Sequence, residues 1–404
     1  MPGAQASTMN ATGRLVFVDR LRVLAIVLVF AYHSARPFDD FEQWHIKHRE
    51  LSSWFTYPMA VGSQVAMPLF WLLSGVATWM ALSRHPPGDF LHRRLARLLL
   101  PVVTVGWFVL CPPQVYIEST TGQHYLAPDF SGSFLAFLPA YLSGGFYGAG
   151  GWFPIEGLHL WYLFYLTLFT LASMPLFSLL TGERGRRAIA RVAGAAGRWW
   201  FLPALCAPLL ASELLLPPTL PVLGWYLGGW RLGSYWLFLL LGCVLASDPR
   251  FLQAVVRHRV RWLALAAVTV VPLLVWPPQL TGLVHGTPLF QFQWSLRTVN
   301  GWLCVLAILG YAAASTRPAG RTLALSAELA LPFYIIHQTP IVVAAWVVHT
   351  WPLPVAVAFP LVAVSALAVT AGACLVIRRV RTLRLLFGMP VSPRGPVRPA
   401  ALAT

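Results

Sequence analysis

Ten stretches of predominantly apolar sequence, each roughly 17 to 25 residues long, recur along this chain of 404 residues. They fall near 15–35, 57–83, 95–112, 153–180, 199–216, 231–247, 261–276, 292–315, 323–349 and 355–377. A helix of that length crosses a hydrocarbon core about 30 Å thick, and in lipid a backbone satisfies its own hydrogen bonds only as a helix or a closed barrel. The expectation is therefore an all-α integral membrane protein, a bundle of about ten transmembrane helices. Composition agrees, because only 10% of the residues are charged whereas a soluble domain carries about a quarter.

The formal charge of +16 would suggest nucleic acid in a soluble protein, so the placement of the cations decides its meaning. With the amino terminus inside, Arg14, Arg84, Arg93, Arg94, Arg97, Arg184, Arg187, Arg257, Arg261, Arg317, Arg378 and Arg384 all lie at cytoplasmic ends of spans. The positive-inside rule then places both termini in the cytoplasm and accounts for the basic character with the bilayer as partner and no nucleic acid. The first apolar stretch reads as an uncleaved anchor, since many further spans follow it. Residues 1–13 and 388–404 are too polar or too rich in Pro and Arg to fold alone, so they are expected to be disordered cytoplasmic tails around one membrane domain, 14–387. Two longer external loops are expected near 36–56 and 113–152. Trp44, Trp54, Trp152, Trp225, Trp276 and Trp351 fall near span ends, where an indole can anchor at the interface. The five cysteines show no metal-ligand or paired spacing and read as packing residues.

Ionisable side chains inside spans are costly in lipid, so those that remain are candidates for function. On the first span Asp19, Arg22 and His33 share one face at 100° per residue, and Arg22 and His33 are separated by about 16 Å of helix. The third span opens with Arg93, Arg94 and Arg97. Arg94 and Arg97 are i,i+3 neighbours whose planar, permanently charged groups suit phosphate, although the same arginines also serve the charge asymmetry. Glu156, His159, Arg297 and His337 fall, with His33, in the outer half on different spans. The i,i+3 spacing of Glu156 and His159 would let a carboxylate orient an imidazole. Gln293, Arg297 and Asn300 make a polar stripe on one face of the eighth span. Glu213 and Glu328 sit nearer span ends, where an interfacial carboxylate needs no further role.

At these residues the sequence resembles the membrane-bound acyltransferase family 3. Val18-Asp19-Arg20-Leu21-Arg22-Val23-Leu24-Ala25 with Tyr32-His33 resembles that family's opening helix, in which ten residues separate Arg from His. Met67-Pro68-Leu69-Phe70-Trp71-Leu72-Leu73-Ser74-Gly75 is similar to its second helix, and Arg94-Leu95-Ala96-Arg97 followed by Pro101 to its Arg-x-x-Arg motif. His159-Leu160-Trp161-Tyr162-Leu163 and Tyr334-Ile335-Ile336-His337-Gln338 resemble two later signatures. Within the family, Trp44-His45-Ile46-Lys47-His48 is most similar to the glucans biosynthesis protein C branch, which decorates periplasmic glucans; His48 stands where Asn is expected.

The resemblance implies a multi-pass protein of the bacterial inner membrane. Its implied activity is transfer of an acyl group, acetyl or succinyl, from cytoplasmic acyl-CoA to a hydroxyl of an extracytoplasmic glycan. Acyl-CoA would be a co-substrate, with no cofactor bound permanently and no metal. Arg93, Arg94 and Arg97 would hold the donor's phosphates, and His33, with Asp19 and Arg22 below it, would take the proton from the acceptor hydroxyl or form an acyl-His intermediate. Arg297 or His337 would stabilise the oxyanion, and Glu156 with His159 would bind or orient the sugar. The rival reading is a transporter or flippase of a glycan or lipid-linked substrate, because carriers also place polar groups at mid-membrane. No inverted repeat is visible in its favour. A scaffold would leave the buried histidines without purpose.

Overall fold

The computed structural model describes residues 15–41, 43–123, 127–144, 156–275 and 286–390. The expected tails, and Trp152 and Trp276, lie largely or wholly outside the described residues. The described chain is a bundle of helices with one short hairpin.

The first helix, α1 (Val16–Ala35), packs against α2 (Ser53–Leu82). Next comes one continuous rod, built from α3 (Pro87–Pro101), a π-helical segment (Val102–Leu110) and α4 (Cys111–Thr121). The rod runs past the end expected at residue 112. Pro112 and Pro113 occupy the first turn of α4, where the missing N–H groups cost little, so they start a helix instead of stopping one. The short α5 (Phe134–Leu142) then packs against α4.

A 3₁₀ turn (Leu158–Leu160) leads into α6 (Trp161–Ala172), which bends by 55° into α7 (Met174–Thr181) at Pro175. The polar α8 (Glu183–Ala193), α9 (Phe201–Ala204) and α10 (Ala207–Leu215) follow. The hairpin pairs β1 (Tyr226–Leu227) with β2 (Trp230–Arg231). Its two-residue turn is Gly228-Gly229, at φ +54° and +94°, a conformation that glycine adopts without strain.

α11 (Leu232–Ser247) turns by 100° into α12 (Pro249–Arg257), whose start is capped by the Asp248 carboxylate accepting from Arg250 N at 2.9 Å. The Arg250 guanidinium beside it holds the Asp248 carboxyl below its usual range. The remaining elements are α13 (Arg259–Val275), α14 (Pro288–Ala314), α15 (Arg321–Ile336), α16 (Gln338–Val348), α17 (Val355–Arg379) and α18 (Arg381–Leu386).

Helices cross closely where residues are small, as in other membrane bundles. A Cβ added to Gly75 of α2 would lie 2.0 Å from Leu239 O of α11, and one on Gly242 would lie 2.0 Å from Leu72 O. Near this crossing Trp71 stacks on Tyr235, with ring centroids 5.4 Å apart.

Among the described residues four helices are long and apolar enough to cross a membrane, and up to seven spans result if each bent pair counts as one. The other three expected spans coincide with α1, which carries Asp19, Arg20 and Arg22, with residues Phe201–Leu215 and with α13. The start of α1 and the segment Leu385–Pro390 line one cavity with Arg84 and Arg94, so the two ends of the described chain lie on one face of the bundle. Trp54 is 84% exposed, as an interfacial anchor would be, whereas Trp44 is buried in an apolar cluster with Phe38, Ile46 and Ile341.

Candidate active site

At the end of the bundle where the described chain begins and ends, α1, α2, α3, α6 and α15 surround a cavity of about 1090 Å³. Its rim carries Arg93, Arg94 and Arg97 of α3 together with Asp19 and Arg22 of α1, the last two 4.0 Å apart as an i,i+3 pair. Arg94 Nε and Nη2 are buried without a hydrogen-bond partner. Desolvated guanidinium nitrogens of this kind invite an anionic oxygen. The buried part of its lining is largely apolar and aromatic and includes Phe70, Tyr162 and Tyr334. The Tyr162 hydroxyl bonds Ser74 Oγ at 2.5 Å, and the Tyr334 hydroxyl donates to His159 O at 2.5 Å.

Beyond Tyr334 lies a cluster of three imidazoles. α15 and α16 meet at a 52° bend. The cause is Pro340, which has no N–H for Ile336 O and whose ring crowds the preceding turn. The bend leaves Tyr334 O and Ile335 O available to side chains. His337 Nδ1 lies 2.7 Å from Tyr334 O, and His159 Nε2 lies 2.9 Å from Ile335 O. A carbonyl only accepts, so both of these ring nitrogens carry the proton. In neutral His337 the other nitrogen, Nε2, is then an acceptor, and it sits 2.9 Å from His33 Nδ1. His33 Nδ1 therefore donates, which leaves His33 Nε2 with the free lone pair of a base. His33 is half-buried, whereas His337 and His159 are buried. His33 is thus the most accessible of the three.

This arrangement revises two expected roles. Both nitrogens of His337 are engaged, so neutral His337 has no N–H to offer an oxyanion. Glu156 does not orient His159, because its carboxylate accepts from the Tyr165 hydroxyl. The i,i+3 spacing is not helical here: Gly157 and Leu158 have φ of +78° and +54°, so the chain turns before the helix starts. His159 Nδ1 is left buried and unpartnered. Arg297 lies apart from the imidazoles, fully buried on α14 against the hairpin, where its Nη2 donates to Gly229 O. Glu213 accepts from Arg231 N at 3.0 Å and Trp294 Nε1 at 3.1 Å, while Glu328 pairs with Arg378 and Arg384.

A buried polar network adjoins the cluster. Glu118 of α4 holds His45 Nδ1 at 2.6 Å. His45 Nε2 lies 3.2 Å from Gln338 Nε2, which also donates to Gln114 Oε1 at 2.9 Å. Gln114 in turn donates to Thr339 Oγ1 at 2.8 Å. The network grips the residues just after His337 and so fixes the bend that positions the imidazoles.

Residues 15–379 match the acyltransferase domain family. The chain belongs to this family, acyltransferase family 3. Over 118 residues it is 23% identical to "Glucans biosynthesis protein C" of Escherichia coli strain K12, a match covering 29% of this chain and 30% of that protein. The counterparts from strains K12 / DH10B and K12 / MC4100 / BW2952 match equally. The chain therefore spans about a third of the length of these curated relatives. No solved structure matches it. In this acyltransferase-family chain the spacing of Arg22, His33, Arg94 and Arg97 pointed to the cavity and the cluster. Glu118 and Gln114 had no such signal, because residues 113–152 read as loop, and Gln338 appeared only as the end of the Tyr334–Gln338 signature.

Proposed function

We propose that this chain is a membrane-bound O-acyltransferase of the bacterial inner membrane, with about ten spans and both ends cytoplasmic. On this reading it moves an acetyl or succinyl group from cytoplasmic acyl-CoA to a hydroxyl of an extracytoplasmic glycan such as a periplasmic glucan. One observation carries the reading: the arginine-lined cavity reaches Tyr334, whose hydroxyl bonds the main chain of His159 and whose carbonyl bonds the His337 ring. Donor and acceptor thus approach one base from opposite faces of the membrane.

Arg93, Arg94 and Arg97 hold the donor's phosphates at the rim. The acyl arm passes between the aromatic walls along α1, where the remaining rise from Ile26 to His33 is about 10 Å. His33 Nε2 takes the proton from the acceptor hydroxyl as its oxygen attacks the thioester carbon. The tetrahedral adduct collapses, the C–S bond breaks, and the proton held on His33 passes to the departing thiolate. The atoms balance with no further reactant. His337 holds the His33 tautomer, and Glu156 and His159 flank the place where the sugar docks.

The test is transfer by the purified protein from acetyl-CoA or succinyl-CoA to envelope glycan, read as the glycan's mass shift and as released thiol. His33→Ala should lower the rate by about 10² to 10⁴, the range of a general base. Unmodified glycan that nevertheless crosses the membrane of reconstituted vesicles would replace this reading with transport.

A further inference from the structure

Arg297 is 0% exposed, and among the described residues no carboxylate lies within 4.0 Å of it. Its guanidinium carbon lies 4.5 Å from the Trp230 ring centre and 5.3 Å from that of Trp294, so two indoles flank it. Only Nη2 has an acceptor, Gly229 O, while Nε and Nη1 are buried with none. A guanidinium left this way in a membrane interior is strongly unfavourable, because no carboxylate compensates its desolvation.

The surroundings share the deficit. Gln64 of α2 is fully buried with neither amide atom partnered, Trp230 Nε1 is buried without an acceptor, and Gln293 Oε1, one turn before Arg297, is also unpartnered. The residues that carry these groups pack together. A Cβ on Gly301 would touch both Trp230 and Gln64 O, and one on Gly229 would touch both Ser63 and Arg297 Nη2. The count is therefore four unused N–H nitrogens, Arg297 Nε and Nη1, Gln64 Nε2 and Trp230 Nε1, around one uncompensated positive charge.

The carboxylate beside Trp294 is already engaged. Glu213 accepts from the main-chain N of Arg231, from Trp294 Nε1 and from Ser234 Oγ, while the Arg231 guanidinium donates to Glu213 O and Gly224 O. Two buried arginines share this neighbourhood with one glutamate, so one positive charge is left over.

We propose that Arg297, with Gln64 and Trp230, forms a subsite for a substrate carboxylate. A single negative charge matches the single positive one, whereas a phosphate dianion would leave a net buried charge. The neutral amide and indole donors add directed hydrogen bonds without adding charge. Tyr235 packs between the hairpin and the segment that carries His159: its hydroxyl donates to Gly228 O at 2.8 Å, and its ring lies 5.5 Å from that of Trp161, two residues past His159. This inference deepens the acyl-transfer reading and rests on it only for the carboxylate's source, which is either a dicarboxylic acyl group on the donor or an acidic sugar on the acceptor.

The experiment uses the full chain in lipid nanodiscs with succinate as the probe and its neutral diamide, succinamide, as the control. Succinate should raise the melting temperature of the wild type while succinamide does not, and R297Q should weaken succinate binding about 10- to 100-fold, as expected for hydrogen bonds to a charged group. If R297Q does not accumulate, Gln64→Leu serves, since removing an unsatisfied buried amide does not destabilise; it should weaken succinate binding several-fold. Kinetics then separates the sources. A fall in the succinyl-CoA to acetyl-CoA ratio of kcat/KM in R297Q assigns the carboxylate to the donor, and a loss seen only with acidic glycans assigns it to the acceptor. Equal response of the wild type to succinate and succinamide, or wild-type succinate affinity in both variants, overturns the subsite. Binding without any acyl transfer by the wild type would instead remove the acyltransferase reading and leave the anion site standing.

Discussion

His337→Ala removes the acceptor that holds His33 Nδ1–H at 2.9 Å, and the structure sets how much this should cost. The lost interaction is one hydrogen bond between neutral groups, worth about 0.5 to 1.5 kcal/mol. If all of it serves to hold His33 in the tautomer that presents Nε2, kcat falls about 2- to 12-fold. His33→Ala removes the base itself and should cost about 10² to 10⁴. Because His337 acts through His33, the two changes should not add: in the His33→Ala background, His337→Ala should change the residual rate less than twofold. The assay is steady-state acyl transfer by the four purified proteins, with rates normalised to folded protein from melting curves. A thousandfold loss in His337→Ala alone, or a further tenfold loss in the His33→Ala background, would refute the reasoning and put His337 in direct contact with the reacting groups.

Arg94→Ala should weaken acyl-CoA binding at least tenfold by isothermal titration, and Arg94→Lys should recover only part, because an ammonium cannot reproduce a planar fork; unchanged affinity in the alanine variant would reduce Arg94 to a topology signal. Glu118→Ala leaves His45 buried without its carboxylate and should lower stability by about 3 kcal/mol, while Glu118→Gln, which keeps an acceptor, should cost less; equal melting curves would show that the network does not hold the bend. Cysteines replacing the exposed Arg184 and Arg257 should be shielded from an impermeant thiol reagent in intact cells, and cysteines replacing the exposed Arg49 and Ser131 should react. Labelling at 184 from outside would invert the topology and with it the donor and acceptor faces.

What the sequence made legible was what helical periodicity encodes. The i,i+3 pair Arg94–Arg97 and the shared face of Asp19, Arg22 and His33 are properties of one helix each, and they locate the cavity rim and the base without reference to other helices. The Glu156–His159 pairing failed because it assumed that periodicity across a turn where Gly157 and Leu158 have positive φ. Glu118 was not found because Pro112-Pro113 reads as a stop, whereas after a π-helical segment the same pair starts the next helix. The bond from His33 to His337 joins residues 304 positions apart, and no local pattern encodes it.

The bend at Pro340 has a consequence for how such a protein can diversify. The protons on His337 and His159 are fixed by main-chain carbonyls, which no substitution at Tyr334 or Ile335 deletes. On the proposed mechanism, the acid–base chemistry is thereby insulated from drift in the walls around it. Selection can reshape the surrounding walls, sugar-facing and acyl-facing on that mechanism, residue by residue while the placement of these protons is inherited intact, so long as the proline at the bend is kept.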